Sequence, residues 1–257
     1  MKLEMIGKCA IITGASGGIG RAIAMDLAYE GINLSLGYHS RSCDTLVDDL
    51  NKMNVRAIQK QVDVSDSESV NDFVEESYKK LGRIDILVNN AGIGFPGPTY
   101  ETSEEDWDKV LAINLKSIFI MSKSVIGYMK KQKYGRIINI GSVIAKTGTN
   151  AQPWLDIQSS SKVGGGAYAA SKAGVHALTK TFAKELIYYN INVNCVAPGP
   201  IKTNMVPSLP DPIRTQLPVG TIGNPEDVSA YVTLLASTRG DYITGEIIDV
   251  NGGLWMD

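Results

Sequence analysis

The sequence is poor in cysteine and histidine, which limits the chemistry open to it. Its 257 residues include three cysteines and two histidines. Cys9, Cys43 and Cys195 are odd in number and widely spaced, which disfavours a disulfide framework. No spacing gathers His39 and His176 with the cysteines into a set of metal ligands. We therefore expect reduced core thiols, as in a cytoplasmic protein, and no metal site.

The chain also lacks a strong net charge and a long apolar run. Its formal net charge is -2, so the composition does not favour a nucleic acid as partner. No run reaches the ~18 apolar residues typical of a membrane span. Residues 1–8 lack the apolar stretch and small-residue cleavage site of a signal peptide. The interpretation is a cytoplasmic globular protein that does not enter a membrane.

Apolar runs and helical patterns alternate along the whole chain. The runs predict strands at 9–13, 33–38, 55–62, 84–92, 135–140, 191–196 and 247–250. Among the predicted helices, one is capped at Ser65 and ends at Gly82, one begins at Ser103, and one spans 167–189. Because no linker or repeat interrupts the alternation, we expect one α/β domain over 1–257. Its fold would be a Rossmann-type, doubly wound parallel sheet of about seven strands with helices on both faces.

A glycine-rich turn, Thr13 to Gly20, joins the first strand to the first helix. Strand, glycine turn and helix in this order are typical of a phosphate-binding site. Gly14 allows a tight turn, whereas Gly18 and Gly20 lack the Cβ atoms that would keep a pyrophosphate or the first strand away. The free N–H groups at the helix start then face the anion. The spacing is GxxxGxG and differs from the common GxGxxG fingerprint.

The end of the second strand indicates which dinucleotide binds. An acid at this position binds a ribose 2′-hydroxyl, whereas basic or small residues admit a 2′-phosphate. After Tyr38 the chain reads His39, Ser40 and Arg41, with no acid before Asp44. We therefore expect a preference for NADP(H), with Arg41 as the charge partner; NAD(H) is the alternative.

Two further features place reactive groups near such a site. Tyr168 and Lys172 are one helical turn apart on one face, and a nearby ammonium favours the phenolate. Such a pair moves a proton to or from a hydroxyl or carbonyl oxygen. Ser142 closes the fifth strand at its carboxyl end, where ligands gather in open α/β sheets. Asn114 interrupts an apolar helical stripe, and a buried asparagine must be hydrogen-bonded.

In this order, the motifs resemble the short-chain dehydrogenase/reductase family over essentially the whole chain. They are Thr13-Gly14-Ala15-Ser16-Gly17-Gly18-Ile19-Gly20, Asp63-Val64, Asn89-Asn90-Ala91-Gly92, Asn114, Ser142, Tyr168-Ala169-Ala170-Ser171-Lys172, Pro198-Gly199 with Thr203, and Thr244-Gly245 before Asp249-Val250-Asn251-Gly252-Gly253. From spacing alone, the paired amides Asn89 and Asn90 either tie strands together or contact a ligand.

The resemblance implies a carbonyl/secondary-alcohol oxidoreductase that uses hydride transfer. Tyr168 would be the acid/base, and Lys172 would lower its pKa and hold the nicotinamide ribose. Ser142 would orient the substrate oxygen, and Asn114 would kink its helix and hold a water in a proton relay. The implied cofactor contacts are Gly14, Ser16, Gly17, Gly18, Ile19, Gly20, His39, Ser40, Arg41, Asp63, Val64, Asn90, Ala91, Gly92, Tyr168, Lys172, Pro198, Gly199, Ile201 and Thr203.

Within the family, the motifs are closest to 3-oxoacyl-[acyl-carrier-protein] reductases and to sugar and polyol dehydrogenases. A non-catalytic dinucleotide-binding regulator is a further alternative. The family usually has about a dozen residues between its serine and tyrosine, but 25 separate Ser142 from Tyr168. The additional segment, about 150–166, includes serines at 159–161 that are alternatives to Ser142. The proline-rich segment at about 200–223 is predicted to be a substrate lid.

The expected partner is a small carbonyl or alcohol substrate, and an acyl carrier protein is a candidate carrier for it. Docking of that acidic carrier requires basic residues near the mouth of the site, and the candidates are Lys130, Lys131, Lys133 and Lys184. The resemblance also suggests a homotetramer, with helices near 105–130 and 167–189 in one interface.

Overall fold

Seven parallel strands form one sheet in the computed structural model, which describes residues 3–94, 97–148, 165–204 and 217–256. The spatial order is β3-β2-β1-β4-β5-β6-β7, so the direction of winding reverses between β1 and β4. The strands are β1 Cys9–Thr13, β2 Asn33–Tyr38, β3 Ala57–Gln61, β4 Ile86–Asn89, β5 Gly135–Ile140, β6 Ile191–Pro198 and β7 Ile247–Val250. In such sheets the crevice for a ligand opens at the carboxyl ends of the strands beside this reversal.

Helices cover both faces of the sheet, which confirms the predicted fold class. They are α1 Gly18–Tyr29, α2 Asp44–Asn51, α3 Ser67–Leu81, α4 Glu104–Leu111, α5 Ser117–Gln132, α6 Ile144–Thr147, α7 Gly166–Leu186 and α8 Pro225–Ala236. Apolar side chains of α1, α2 and α8 pack in one core cluster, and those of α3, α5 and α7 pack in a second. The two clusters lie on opposite faces because successive strand residues point to opposite sides of the sheet.

Several predicted boundaries differ from the structure: β4 is shorter than the predicted 84–92, and β6 extends beyond the predicted 191–196. β3 is shorter than the predicted 55–62, and the N-cap of α3 is Asp66, not Ser65. The Ser65 hydroxyl donates to Asp63 Oδ1 at 2.6 Å, so that side chain turns away from the helix. The Asp66 carboxylate accepts the Ser69 N–H at 2.8 Å and satisfies a free donor of the first turn.

The helical run Glu104–Gln132 is long and apolar enough to cross a membrane by composition alone. Its Ile120, Val125 and Met129 pack in the core against α3 and α7, so it is a core helix. A five-residue π-helical turn, Ala112–Lys116, separates α4 from α5. Asn114 lies in the middle of this turn. Such turns within α-helices are frequent at functional sites.

The four candidate docking lysines lie at the wrong edge of the sheet, so that interpretation is wrong. Lys130, Lys131 and Lys133 end α5 just before β5 begins, and Lys184 is in the last turn of α7 before β6. They therefore lie at the amino edge, whereas the crevice is at the carboxyl edge. Residues 150–164 of the additional segment and 205–216 of the predicted lid, including the serines at 159–161, lie outside the described residues.

Candidate active site

A cavity of about 430 Å³ opens at the carboxyl edge of the sheet, beside the winding reversal. It brings together residues from the glycine turn, from the ends of β4, β5 and β6, and from the start of α7. The lining residues are Gly14, Ser16, Gly17, Gly18, Ile19, Arg41, Asn90, Ala91, Gly92, Ile140, Gly141, Ser142, Tyr168, Lys172, Pro198, Gly199, Ile201, Thr203 and Asn204. Most of the site residues predicted from the sequence are therefore in one cavity.

The glycine turn has the close approach that its sequence predicts. A Cβ on Gly20 would lie 2.3 Å from the Gly14 carbonyl oxygen, and one on Gly18 would lie 3.0 Å from Thr203 Cγ2. Gly14 and Gly18 also have φ values of +65° and +52°, which favour glycine. The first turn of α1 carries no acidic side chain, so its N–H groups face the cavity without a competing anion. This cradle fits the pyrophosphate of a dinucleotide.

The paired amides at the end of β4 have different tasks. Asn89 points to the face of the sheet covered by α5, where its Nδ2 donates to Asn139 Oδ1 of the neighbouring strand β5 at 2.9 Å. Asn90 points the other way, and its Nδ2 donates to the carbonyl oxygens of Thr13 and Gly14 at 3.0 and 2.9 Å. Asn89 therefore ties two strands together, whereas Asn90 holds the glycine turn and lines the cavity.

Arg41 is the cavity's cation at the end of β2. Four residues predicted beside it, His39, Ser40, Asp63 and Val64, do not line this cavity. Asp63 Oδ1 accepts hydrogen bonds from the N–H and hydroxyl of Ser65, and these lower the pKa of its carboxyl. Gly20 and Asn114 also do not line the cavity; each contacts residues that do. These six residues are the predicted site residues outside the cavity lining, and for them, as for the lining residues, a cofactor or catalytic role stays a prediction.

Tyr168 and Ser142 meet at the end of the cavity opposite Arg41. The pKa of the Tyr168 phenol is raised by burial, and a hydrogen bond with the Ser142 side chain partly offsets this rise. Ser142 Oγ also accepts the Ile144 N–H at 3.2 Å. Because burial dominates, the phenol keeps its proton at neutral pH and is able to donate it.

Lys172 is the buried cation of the site, with 4% of its surface exposed. Its Nζ donates to the Ile140 carbonyl oxygen at 2.7 Å and lies 5.8 Å from the centre of the Tyr168 ring. Burial lowers the pKa of the ammonium to about 8. It is therefore mostly charged at pH 7. The expected lowering of the Tyr168 pKa by Lys172 is not observed, because burial raises that pKa and Ser142 is the group that lowers it.

Asn114 connects the π-helical turn to two parts of the site. Its Oδ1 accepts the Ile93 N–H at 2.8 Å, and its Nδ2 donates to the Ile93 carbonyl oxygen at 2.9 Å and to Ser171 Oγ at 3.2 Å. A Cβ on Gly92 would meet Asn114 Oδ1 at 3.3 Å and Lys172 Nζ at 3.8 Å. Asn114 thus lies beside Lys172 and fixes the chain that follows β4.

Sequence reasoning did not select five residues that the structure assigns to the site. Ile140, Gly141 and Asn204 line the cavity. Thr13 Oγ1 accepts the N–H groups of Asn90 and Ala91, both at 3.1 Å, and Ser171 Oγ donates to the Tyr168 carbonyl oxygen at 2.7 Å. Thr13 and Ser171 lie inside quoted motifs, so only the direction of their side chains was lacking.

Comparison with known proteins assigns the family. The sequence profile described as short chain dehydrogenase matches residues 8–213. The chain belongs to the short-chain dehydrogenase family. As a member of it, the protein is an oxidoreductase that interconverts a carbonyl and an alcohol with a nicotinamide dinucleotide.

Individual relatives of this short-chain dehydrogenase are similar over their full length. The 3-oxoacyl-[acyl-carrier-protein] reductase FabG of Thermotoga maritima is 40% identical, with 99% of each chain covered. The protein of the same name from Aquifex aeolicus is 38% identical, covering 99% of this chain and 100% of its own. A dehydrogenase/reductase structure from Sinorhizobium meliloti superposes with a TM-score of 0.88 at 34% identity, covering 99% of this chain and 98% of that one.

Proposed function

We propose that this protein is an NADP(H)-dependent reductase of 3-oxoacyl thioesters, with Tyr168 as the acid/base. The observation that carries the proposal is one cavity with a phosphate cradle and Arg41 at one end, and Ser142, Tyr168 and Lys172 at the other. The substrate class is supported by two relatives named 3-oxoacyl-[acyl-carrier-protein] reductase, at 40% and 38% identity.

In the reducing direction, Tyr168 gives its phenolic proton to the substrate oxygen. Burial raises the pKa of this phenol, so the proton is present at neutral pH. The Ser142 hydroxyl, hydrogen-bonded with Tyr168, orients that oxygen and stabilises the charge that grows on it. A nicotinamide in the cavity supplies the hydride when it is bound.

Lys172 stabilises the phenolate that remains after Tyr168 has given up its proton. Its ammonium is buried, and low-dielectric surroundings strengthen its attraction for a nearby anion. Asn114 Oδ1 and Lys172 Nζ both lie within 4 Å of the position of a Gly92 Cβ. We propose that Asn114 holds a water molecule. This water and Lys172 form a relay that returns a proton to Tyr168.

The cofactor cradle is assigned to Gly14, Ser16, Gly17, Gly18, Ile19, Asn90, Ala91, Gly92, Pro198, Gly199, Ile201 and Thr203, all of which line the cavity. Arg41 is assigned to the 2′-phosphate, because it is the cation at that end of the cavity and no acidic side chain lines the cavity among the described residues. This charge distribution favours NADP(H) over NAD(H).

A sugar or polyol is the second candidate substrate. It is favoured by the 25 residues between Ser142 and Tyr168, because the additional segment lies next to the site in sequence. We propose that this segment and the 200–223 lid enclose the substrate.

For the proposed thioester substrate, the acyl chain would arrive on an acyl carrier protein in the cytoplasm.

We also propose a homotetramer. Supporting it is an apolar groove between α4–α5 and α7, lined by Leu111, Leu115, Phe119 and Leu178 among others, with Phe119 45% exposed. An exposed apolar patch of this kind is typical of a protein–protein interface.

The test is NADPH oxidation by the purified protein with acetoacetyl thioesters and, in parallel, with ketoses and aldoses. We expect at least a 10-fold higher kcat/KM for the thioesters, and for NADPH over NADH. A sugar preferred over every thioester would contradict the substrate class. NADPH binding without turnover of any of these thioesters, ketoses or aldoses would instead support a non-catalytic regulator.

A further inference from the structure

A largely buried ion pair lies just beyond Ser142. Lys146 Nζ is 2.6 Å from Asp249 Oδ2, and the two side chains are 15% and 21% exposed. Lys146 follows Ser142 by four residues in α6, whereas Asp249 lies in β7, two strands away from β5 in the sheet. The pair joins parts of the chain that are 103 residues apart.

The turn that carries Ser142 is anchored by backbone hydrogen bonds to β6, and the helix that follows it, α6, packs against α7. The N–H groups of Gly141 and Val143 donate to the carbonyl oxygens of Val196 and Pro198 in β6, at 2.8 and 2.9 Å. Beyond Val143 the chain forms α6, which has four residues. A helix this short does not hold itself in place. Lys146 fastens its far end to β7.

The pair lies on the same face of the sheet as Lys172. In the sheet register, Asp249 is opposite Ala197, and Ala197 packs with Cys195 in the core cluster beneath α7. The Cys195 thiol is within electrostatic range of Lys172, Lys146 and Asp249. Charge at the pair therefore lies close to the proton-transfer group, although neither side chain lines the cavity.

We propose that Lys146 and Asp249 are positioning residues that hold the Ser142 hydroxyl against the Tyr168 phenol. They act through the α6 turn and contact neither substrate nor cofactor. The inference rests on the proposed role of Ser142, which the test below examines separately.

The energetics of buried pairs provide a way to separate positioning from stability. Removing one partner leaves a mostly buried charge without compensation, whereas replacing both with apolar side chains of similar size is often neutral for stability. Lys146→Met should therefore lower Tm, because Asp249 loses its ion-pair partner. The double variant, Lys146→Met with Asp249→Leu, should have a Tm near that of the wild type, but it lacks the ion pair that fixes the turn.

The experiment measures kcat, the KM for NADPH and Tm for these variants, with a carbonyl substrate that the wild type reduces. We expect kcat to fall about 10-fold in both single variants and in the double variant, at an unchanged KM for NADPH. A wild-type kcat in the double variant, or in the single variants, overturns the proposal.

A cycle with Ser142→Ala shows whether Lys146 acts through Ser142. In that background, Lys146→Met should lower kcat by less than about 2-fold. A full 10-fold loss there overturns this inference alone. An unchanged kcat in Ser142→Ala itself overturns the proposed role of Ser142 together with the inference.

The control variant is Asp241→Asn, which removes the ion-pair partner of the buried Arg136 at the amino edge of the sheet. It should lower Tm and leave kcat unchanged. A fall in kcat equal to that of Lys146→Met would show that any lost ion pair slows the enzyme, and would overturn the proposal.

Discussion

At the amino edge of the sheet, the fully buried Asp85 accepts two hydrogen bonds from Arg83 at 2.6 Å and one from the Cys9 N–H at 2.9 Å. At the carboxyl edge, Lys172 is equally buried, but its Nζ donates to a backbone carbonyl oxygen, and no carboxylate in the described ranges pairs with it. The same sheet thus neutralises buried charge at one edge and keeps an unneutralised charge at the other.

This difference separates structural charge from reactive charge. A buried charge with a counter-charge has part of its lost solvation replaced. A buried charge without one has a shifted pKa, and such shifts cluster at functional sites. Lys172 titrates near 8, within reach of physiological pH. Burying the Lys172 ammonium without a counter-charge costs stability, and the same missing counter-charge gives the group its shifted pKa.

Among the changes that compare the two edges, the largest expected effect is at the glycine cradle of the carboxyl edge. Gly20→Ala should weaken NADPH binding by at least about 100-fold, because the new Cβ would lie 2.3 Å from the Gly14 carbonyl oxygen and force the turn to shift. Fluorescence titration of NADPH measures this. Gly127→Ala in α5 is the matched control, since nothing lies within 4 Å of its Cβ position. Wild-type affinity in Gly20→Ala would contradict the assigned cradle.

A change at the amino edge should affect stability alone. We expect Asp85→Ala to lower the free energy of unfolding by about 3 kcal/mol, because the buried Cys9 N–H loses its side-chain acceptor and Arg83 loses its ion pair. Urea denaturation gives this value, and kcat measured well below Tm should match the wild type. A large loss of kcat in the folded variant would erase the distinction between the edges.

The pH dependence of stability tests whether Lys172 is an unneutralised charge. Its pKa is lowered from 10.5 to about 8, so between these values the unfolded chain binds more protons and stability rises with pH. From pH 7 to 9.5, the wild type should gain about 2 kcal/mol relative to Lys172→Met. A flat difference between the two proteins, measured by urea denaturation across this range, would mean that the ammonium is compensated.

The smallest effect concerns the other end of the cavity. Arg41→Ala should raise the KM for NADPH about 10-fold and change that for NADH little, because only NADPH carries the 2′-phosphate. Steady-state kinetics with both cofactors measure the two constants. Equal changes would show that Arg41 does not select the cofactor.

Much of the fold follows from the sequence, because most strands are short, largely apolar runs, although β3, Ala57–Gln61, is mostly polar. The boundaries of β1, β2, β5 and β7 agree with the predicted ranges. The N-cap of α3 was missed because Ser65 and Asp66 both suit the position, and the hydrogen bond from Ser65 to Asp63 decides between them.

Most residues of the site could be predicted from the sequence, but the directions in which their side chains point could not. Asn89 and Asn90 are adjacent, and successive side chains point to opposite sides: Asn89 to the face covered by α5 and Asn90 to the glycine turn. Which one goes where depends on strand register. The edge on which Lys130 and Lys131 lie was available from chain order alone, since a helix that precedes a parallel strand ends at that strand's amino edge. The ion pair of Lys146 and Asp249 joins distant segments and left no signal in the sequence.

The most direct test of the proposed site is the Tyr168→Phe variant, loaded with NADPH and mixed with a substrate that the wild type reduces. The account predicts an unchanged Kd for NADPH and a kcat lowered at least about 1,000-fold, because the hydroxyl that gives the proton is gone while the ring still fills its place. Reduction at the wild-type rate would contradict the assignment of Tyr168 as the acid.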